Sequence, residues 1–422
     1  MIEWRSDASR QLQNDDFPLT VVPSSHLLPW WQLAWMRWGQ FTTLAQLTMG
    51  ATLGWSMGLF QALLALSLGT LILLMVAIPM GIMGQQTRLA TALAARQTGL
   101  GQFGSGVVSF VAGLSVMGWF GVQNGLFAEG LHALTGWGTP LLWTVGSGLG
   151  LTALVYGGIL AMGWLAYVTV PLFLGLLVWT SLRLPHLHPI NWHAAPGPHS
   201  LSLTAAVTIV VGSFITGAVL SPDMTRFHWN TRDVIKQTVW SFALGNLVIG
   251  GLGAWLAQAA RTPNVAHVLA STVVGIGGTL LFVTSTIKVN DWDIYGASLA
   301  FVNGLDLLGK HRVTRQKMTL IVGTLGTLLG LLGIVHVFES FLLVLGVAIP
   351  PFAAIMILDY GIRPHKLVNR FNFSSLIALT SWVAGFTAGL WIPWGIGAIN
   401  SLVITAVLYT VLKKMSRTIW GP

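Results

Sequence analysis

Runs of about 20 mostly apolar residues, each long enough to cross a bilayer as a helix, recur twelve times along the chain. They cover residues 28–55, 59–83, 104–132, 139–157, 160–182, 201–222, 234–258, 267–303, 316–336, 338–358, 374–392 and 395–413, with short polar or Gly/Pro breaks between them. This pattern admits few folds. Lipid offers no partner to a free peptide group, so each run must close its hydrogen bonds within itself, as a helix. Charge composition agrees: 8% of the 422 residues are Asp, Glu, Lys or Arg, too few to coat a water-exposed surface. The expected fold is therefore an all-α polytopic membrane protein with twelve transmembrane helices. The chain has no cysteine, which removes disulfides, thiolate metal sites and a cysteine nucleophile.

Lys and Arg set the direction of insertion. With the N-terminus in the cytoplasm, 17 of the 21 Lys and Arg fall on cytoplasmic segments and two, Arg183 and Arg261, fall outside. The remaining two, Arg37 and Lys288, lie within spans. Both termini are then cytoplasmic, and the net charge of +9 faces the anionic inner leaflet. The lipid bilayer is thus the partner of those bases; a nucleic-acid partner would need a soluble basic domain, and there is none. Residues 1–27 are polar and of mixed charge, without the basic-then-apolar layout of a cleavable signal. Pro29, Trp30 and Trp31 then open the first span, Pro as a helix starter and Trp as an interface anchor.

Two spans carry helix-weak, polar positions in their interior. In the first these run from Trp38 to Thr43 and include Gly39 and Thr42; in the sixth they run from Gly212 to Gly217. The two lie five spans apart, the pattern of an inverted repeat whose halves each open with a broken helix. Freed backbone groups at such breaks are tolerated only where they line a site. The competing reading is that small residues there merely let helices pack closely.

The eighth span holds the densest polar cluster, from Thr284 through Ser285, Lys288, Asn290 and Asp291 to Asp293. A charge at mid-bilayer costs at least about 2.5–3.5 kcal/mol, so these groups need partners or water. Lys288 and Asp291 are three apart and share a helix face, and Arg37 is expected to meet Asp291 or Asp293. Such a cluster marks either a transport path or a salt-bridged packing contact. In the third span, Trp119 and Gln123 are four apart on one face. An indole for stacking and an amide for hydrogen bonds suit a flat heteroaromatic ligand, although an aromatic at helical spacing also serves plain packing. No Ser-His-Asp or zinc-protease arrangement is present, so no enzyme activity and no metal are expected.

Several short stretches together resemble the nucleobase:cation symporter-1 family. They are Gly118-Trp119-Phe120-Gly121-Val122, Val210 to Ile215, Asp223-Met224-Thr225-Arg226-Phe227, Asn290-Asp291 followed by Tyr295-Gly296-Ala297-Ser298, Ala348-Ile349-Pro350-Pro351, and Asp359-Tyr360. The resemblance implies a five-plus-five inverted-repeat core with broken helices one and six, plus two extra C-terminal helices, working by alternating access in a bacterial inner membrane. On that plan residues 1–27 are a cytoplasmic segment, 28–182 the first repeat and 183–200 an outside loop. Residues 201–358 are then the second repeat, and 359–422 the two added helices and tail. The implied substrate is a small heterocycle: a cytosine-like nucleobase, or else hydroxymethylpyrimidine or another thiamine precursor, a purine or a hydantoin. The family pattern maps the two stacking aromatics onto Trp119 and Phe214, and polar contacts onto Gln123, Thr216, Asn290 and Asp291. No cofactor and no obligate protein partner are implied. A receptor that binds such a ligand without moving it is the competing class.

One departure stands out. Sodium-coupled members of the family bind their cation between backbone carbonyls of the first span and two adjacent hydroxyl residues of the eighth. Here that position reads Lys288-Val289-Asn290-Asp291, so both hydroxyls are gone. The sodium site is expected to be lost. The Lys288 ammonium would bridge the carbonyls near Gly39 and Thr42 to the eighth span, with Ser285 one turn away, and a proton is the expected coupling ion if that amine titrates.

Overall fold

The computed structural model of the chain describes residues 17, 20–156, 159–183, 188–193, 200–272, 275–307, 313–362 and 373–420. Helices occupy all twelve predicted spans. The first is split into α1 (Trp30–Phe41) and α2 (Leu44–Ser56); the second is α3 (Leu59–Thr87), followed by a short α4 (Thr91–Arg96). Then come α5 (Gly101–Thr135), α6 (Pro140–Tyr156), α7 (Ile159–Arg183) and α8 (Leu203–Val219), the last trailed by a short α9 (Ser221–Thr225). The seventh span is α10 (Thr231–Ala243) and α11 (Gly251–Ala260), joined by a π-helical turn over Leu244–Gly250. The run at 267–303 divides into two helices, α12 (Val265–Thr272) and α13 (Gly275–Leu307). After α14 (Arg315–Leu331), the tenth span is α15 (Phe338–Ala348) and α16 (Pro350–Ile362), and α17 (Phe373–Trp391) and α18 (Gly397–Trp420) end the chain.

The pairing of these helices repeats under inversion. The first span packs on the seventh through α2 and α11, the sixth on the second through α8 and α3, and the third on the eighth through α5 and α13. Exchanging spans one to five with six to ten generates the same pairings, as an inverted repeat requires.

Helix one breaks where its sequence is weakest. Thr42 leaves helical geometry and Thr43 is extended, and the Thr43 hydroxyl restarts the helix by accepting from Gln46 N–H at 2.9 Å. Helix six breaks later than the Gly212–Gly217 stretch suggests. α8 runs unbroken through that stretch and stops at Leu220. Pro222 accounts for this: it has no N–H, and in a continued helix its ring would strike the Ala218 carbonyl. Gly212 instead serves close approach, because a Cβ there would sit 1.8 Å from the Leu342 carbonyl oxygen of α15.

At the end that carries the N-terminal segment, hydrogen bonds strap that segment over the helices. Leu28 N–H donates to Phe227 O at 2.8 Å, Val22 N–H to Arg88 O at 3.1 Å, and Arg226 Nη1 to Phe17 O at 2.7 Å. Beneath this strap lies His228, fully buried in the loop between α9 and α10. Burial pushes its imidazole down to about 4 from the usual 6.5; Gln237 and Asp233 oppose the shift and the Arg37 charge adds to it. Between those values the unfolded chain binds the proton and the folded chain does not, so stability falls as pH drops from about 6.5 to about 4. Nearby Asp223 titrates with the opposite sign, since burial raises its carboxyl despite Arg226. Comparison with a variant isolates the histidine. The melting temperature should fall on acidification across this window, and fall less in H228Q; identical acid profiles would show that His228 does not titrate with folding.

Candidate functional site

The site is organised by one stripe of α5. Ser115, Trp119 and Gln123 are spaced four apart, one turn each, and therefore line one face. At the lower end, the Ser115 and Thr216 hydroxyls lie 2.7 Å apart, tying α5 to α8. At the upper end, Gln123 Nε2 donates to Asp293 Oδ2 at 2.6 Å, tying α5 to α13. Trp119 sits between these two polar ties. Its ring is held edge-on by Phe338 at 6.0 Å and Phe341 at 5.4 Å, both from α15. Two such near-perpendicular ring contacts fix the plane of the indole. Asn290 and Asp291, on the same helix as Asp293, are both fully buried.

Phe214 points away from Thr216. In an unbroken helix, residues two apart point to nearly opposite sides, and α8 is unbroken here. Thr216 turns to α5, so Phe214 turns to α1 and α10. It stacks on Phe41 at 3.8 Å with an 18° interplanar angle and meets Phe242 edge-on at 5.1 Å. The ring of Phe41 has room because position 245 is glycine: a Cβ there would come within 2.2 Å of it. The structure thus brings Trp119, Gln123 and Thr216 onto one stripe, and places Phe214 in a neighbouring aromatic cluster at the break of helix one.

Among the described residues, Arg37 bonds neither Asp291 nor Asp293 of the eighth span. Its guanidinium donates to Gln40 Oε1 at 3.1 Å, to the Gly217 carbonyl at 3.2 Å and to Ser221 Oγ at 3.5 Å. It also lies over the rings of Phe214 and Phe242, at 5.8 and 6.0 Å. A helix end supplies free carbonyls, and the carbonyls of the last turn of α8 take the place of the expected carboxylates. Arg37 therefore pins α1 to the end of α8. At the break itself, Thr42 Oγ1 donates to Gly39 O at 3.3 Å. Ser285 and Lys288 lie on α13, but the side chains of 284–289 are outside the described residues.

Several partners carry no signal that points to them before the chain is folded. Gln46 Nε2 donates to Asn246 Oδ1 at 2.5 Å, linking the start of α2 to the π-helical turn. Phe41 and Phe242 read as ordinary apolar residues within their spans. Ser115 is the exception, since it stands one turn before Trp119 on the same face. Asp293 is conspicuous as an intramembrane charge, but its pairing with Gln123 is not.

A membrane-embedded helical bundle with interrupted helices and a buried polar stripe beside them defines a secondary transporter. The comparisons carry this further. The sequence pattern of the family described as permeases for cytosine/purines, uracil, thiamine and allantoin matches residues 21–395, and the chain belongs to that family. It is similar to the cytosine permease of Escherichia coli strain K12, at 28% identity over 411 residues that cover 96% of this chain and 95% of the relative. In fold it is similar to Mhp1, a nucleobase-cation-symport-1 family transporter solved in a closed conformation with bromovinylhydantoin bound. That match has a TM-score of 0.77, 17% identity, and coverage of 94% of this chain and 95% of the other. Against a sodium-coupled sialic acid symporter the TM-score is 0.63 at 12% identity, covering 98% of this chain and 94% of the other. The protein is thus a multi-pass membrane permease and not an enzyme.

Proposed function

We propose that this protein takes up a neutral, planar nucleobase of cytosine type across a bacterial cell membrane by alternating access, and does so without sodium. The observation that carries the reading is the α5 stripe, an indole between an amide and a hydroxyl, each tied to another helix. A neutral base has little charge to hold. Its affinity comes from stacking on its faces and from donors and acceptors along its edge, and Trp119, Gln123, Thr216, Asn290 and Asp291 are groups of those kinds. The similarity to a cytosine permease supports the same substrate class.

The sodium reading rests on the residues of the eighth span. Sodium binds through oxygen ligands, and Lys288-Val289 stands where the resemblance places two hydroxyls. A local ammonium takes over the work of the ion, and proton coupling follows where that amine gives up its proton on one side of the membrane. Both termini then face the cytoplasm, as 17 of 21 Lys and Arg on that side require. The test is uptake of labelled cytosine into proteoliposomes. Uptake should persist when sodium is replaced by choline, and an inward proton gradient should speed it. Strict sodium dependence would overturn the coupling, and binding without counterflow would make the protein a receptor.

A further inference from the structure

Helix α10 has two unlike faces. Val234, Gln237, Thr238, Ser241 and Phe242 are buried in the bundle. Arg232, Ile235, Lys236, Val239 and Trp240 are exposed and, at helical spacing, form one stripe on the opposite side. The stripe is graded along the helix. Its two cations stand in the first two turns, and Val239 and Trp240 above them are apolar. Leu247 and Val248, in the π-helical turn that follows, are exposed as well. From Arg232 to Val248 is about 24 Å at the helical rise, close to the roughly 20 Å of one leaflet with its headgroups.

Neither cation forms an ion pair among the described residues. The adjacent Asp233 carboxylate is engaged by Asn230, whose Nδ2 donates to it at 3.0 Å. Like charges one turn apart repel each other along a helix, so Arg232 and Lys236 cost α10 stability until an anion lies between them. The ammonium of Lys236 rests over the ring of Trp30, 5.9 Å from its centre. That cation–π contact holds it at the level of an interface indole.

We infer that the exposed face of α10 binds one anionic phospholipid of the cytoplasmic leaflet, with the phosphate between Arg232 and Lys236 and the acyl chains along Ile235, Val239 and Trp240. The phosphate supplies the missing anion. The apolar part of the stripe needs chains to cover it, which a soluble phosphate lacks. A zwitterionic headgroup would bring its own cation beside two others, so the pair selects lipids of net negative charge. This is narrower than a general attraction of basic loops to the leaflet: two named cations stand below one apolar track. The site also touches the transport machinery from outside. Trp30 opens α1, and Phe242 on the buried face of α10 meets Phe41 at the break of helix one. A bound headgroup therefore clamps α1 to α10.

Native mass spectrometry of the purified protein, titrated with phosphatidylglycerol or phosphatidylcholine, reads the affinity of the first bound lipid. Wild type should favour phosphatidylglycerol by at least about tenfold; equal affinities would overturn the inference. R232Q/K236Q should bind phosphatidylglycerol roughly twenty- to thirtyfold more weakly, about fivefold for each cation. R232K/K236R keeps both charges and should keep the affinity. K317Q/K414Q removes two other exposed cations and should bind as wild type does. An R232Q/K236Q affinity equal to wild type would overturn the site, and equal losses in R232Q/K236Q and K317Q/K414Q would replace it with a diffuse attraction. Glycerol 3-phosphate carries the phosphate without acyl chains and should not displace the lipid. Displacement at matched concentration would make this a soluble-anion site and overturn the lipid assignment.

Discussion

Replacing Asp359 with alanine is expected to destabilise the protein by about 3–5 kcal/mol, the cost of stripping one partner from a buried ion pair. Asp359 stands near the end of α16 and is 7% exposed. One carboxylate oxygen, Oδ2, accepts from the Gly99 N–H and from the Tyr409 hydroxyl, the latter at 2.7 Å. The other, Oδ1, pairs with the Lys413 ammonium, which also reaches the Tyr409 hydroxyl at 3.1 Å. Three separate parts of the chain, the loop before α5, the end of α16 and the helix α18, are thus joined through one side chain. The alanine variant leaves a partly buried ammonium, a backbone N–H and a phenol without this acceptor. Thermal unfolding in detergent measures the loss. In D359A/K413M the orphaned charge is gone, so the double variant should recover part of it. A D359A melting curve that overlays wild type would show that the cluster does not hold the last helix to the core.

The second large effect belongs to Trp119. Base–aromatic stacking is worth about 1–3 kcal/mol when the aromatic is cut to alanine, so W119A should weaken ligand binding roughly ten- to hundredfold. W119F, which keeps a ring between Phe338 and Phe341, should lose less. Stability should change less than in F214A, because Trp119 meets two rings near-perpendicularly, whereas Phe214 stacks face to face on Phe41 and also meets Phe242 and the Arg37 guanidinium. F214A should therefore lower the melting temperature more than it lowers affinity. Binding by titration and melting by fluorescence, run on both variants, separate the two roles. Equal losses of affinity in the two would place both rings on the ligand.

Which features of the molecule can be read before folding follows from how far each feature reaches along the chain. A span is a local property: its length and apolarity depend on residues within one run, and all twelve runs form helices. The break at Thr42 and Thr43 is also local, because Gly39, Thr42 and Thr43 are weak helix formers that sit together. The α5 stripe is readable for the same reason, since spacing along one helix decides which residues share a face. Glycines in the sixth span are not readable in this way. Gly212 could serve a break or a close contact, and the choice depends on the carbonyl of Leu342, which only packing brings near.

The amino-acid order by itself determined that this chain is a multi-pass membrane protein, where its apolar helices run, and that an indole and an amide share one face of the third span, because these depend on residues a few positions apart. The tertiary structure decided the partners. Arg37 bonds a carbonyl 180 residues away and not a carboxylate, Phe214 stacks on Phe41, and Gln123 gives its N–H to Asp293. A buried polar or aromatic group takes the partner that packing places within reach, and that placement is a property of the assembled bundle, not of any one of its helices.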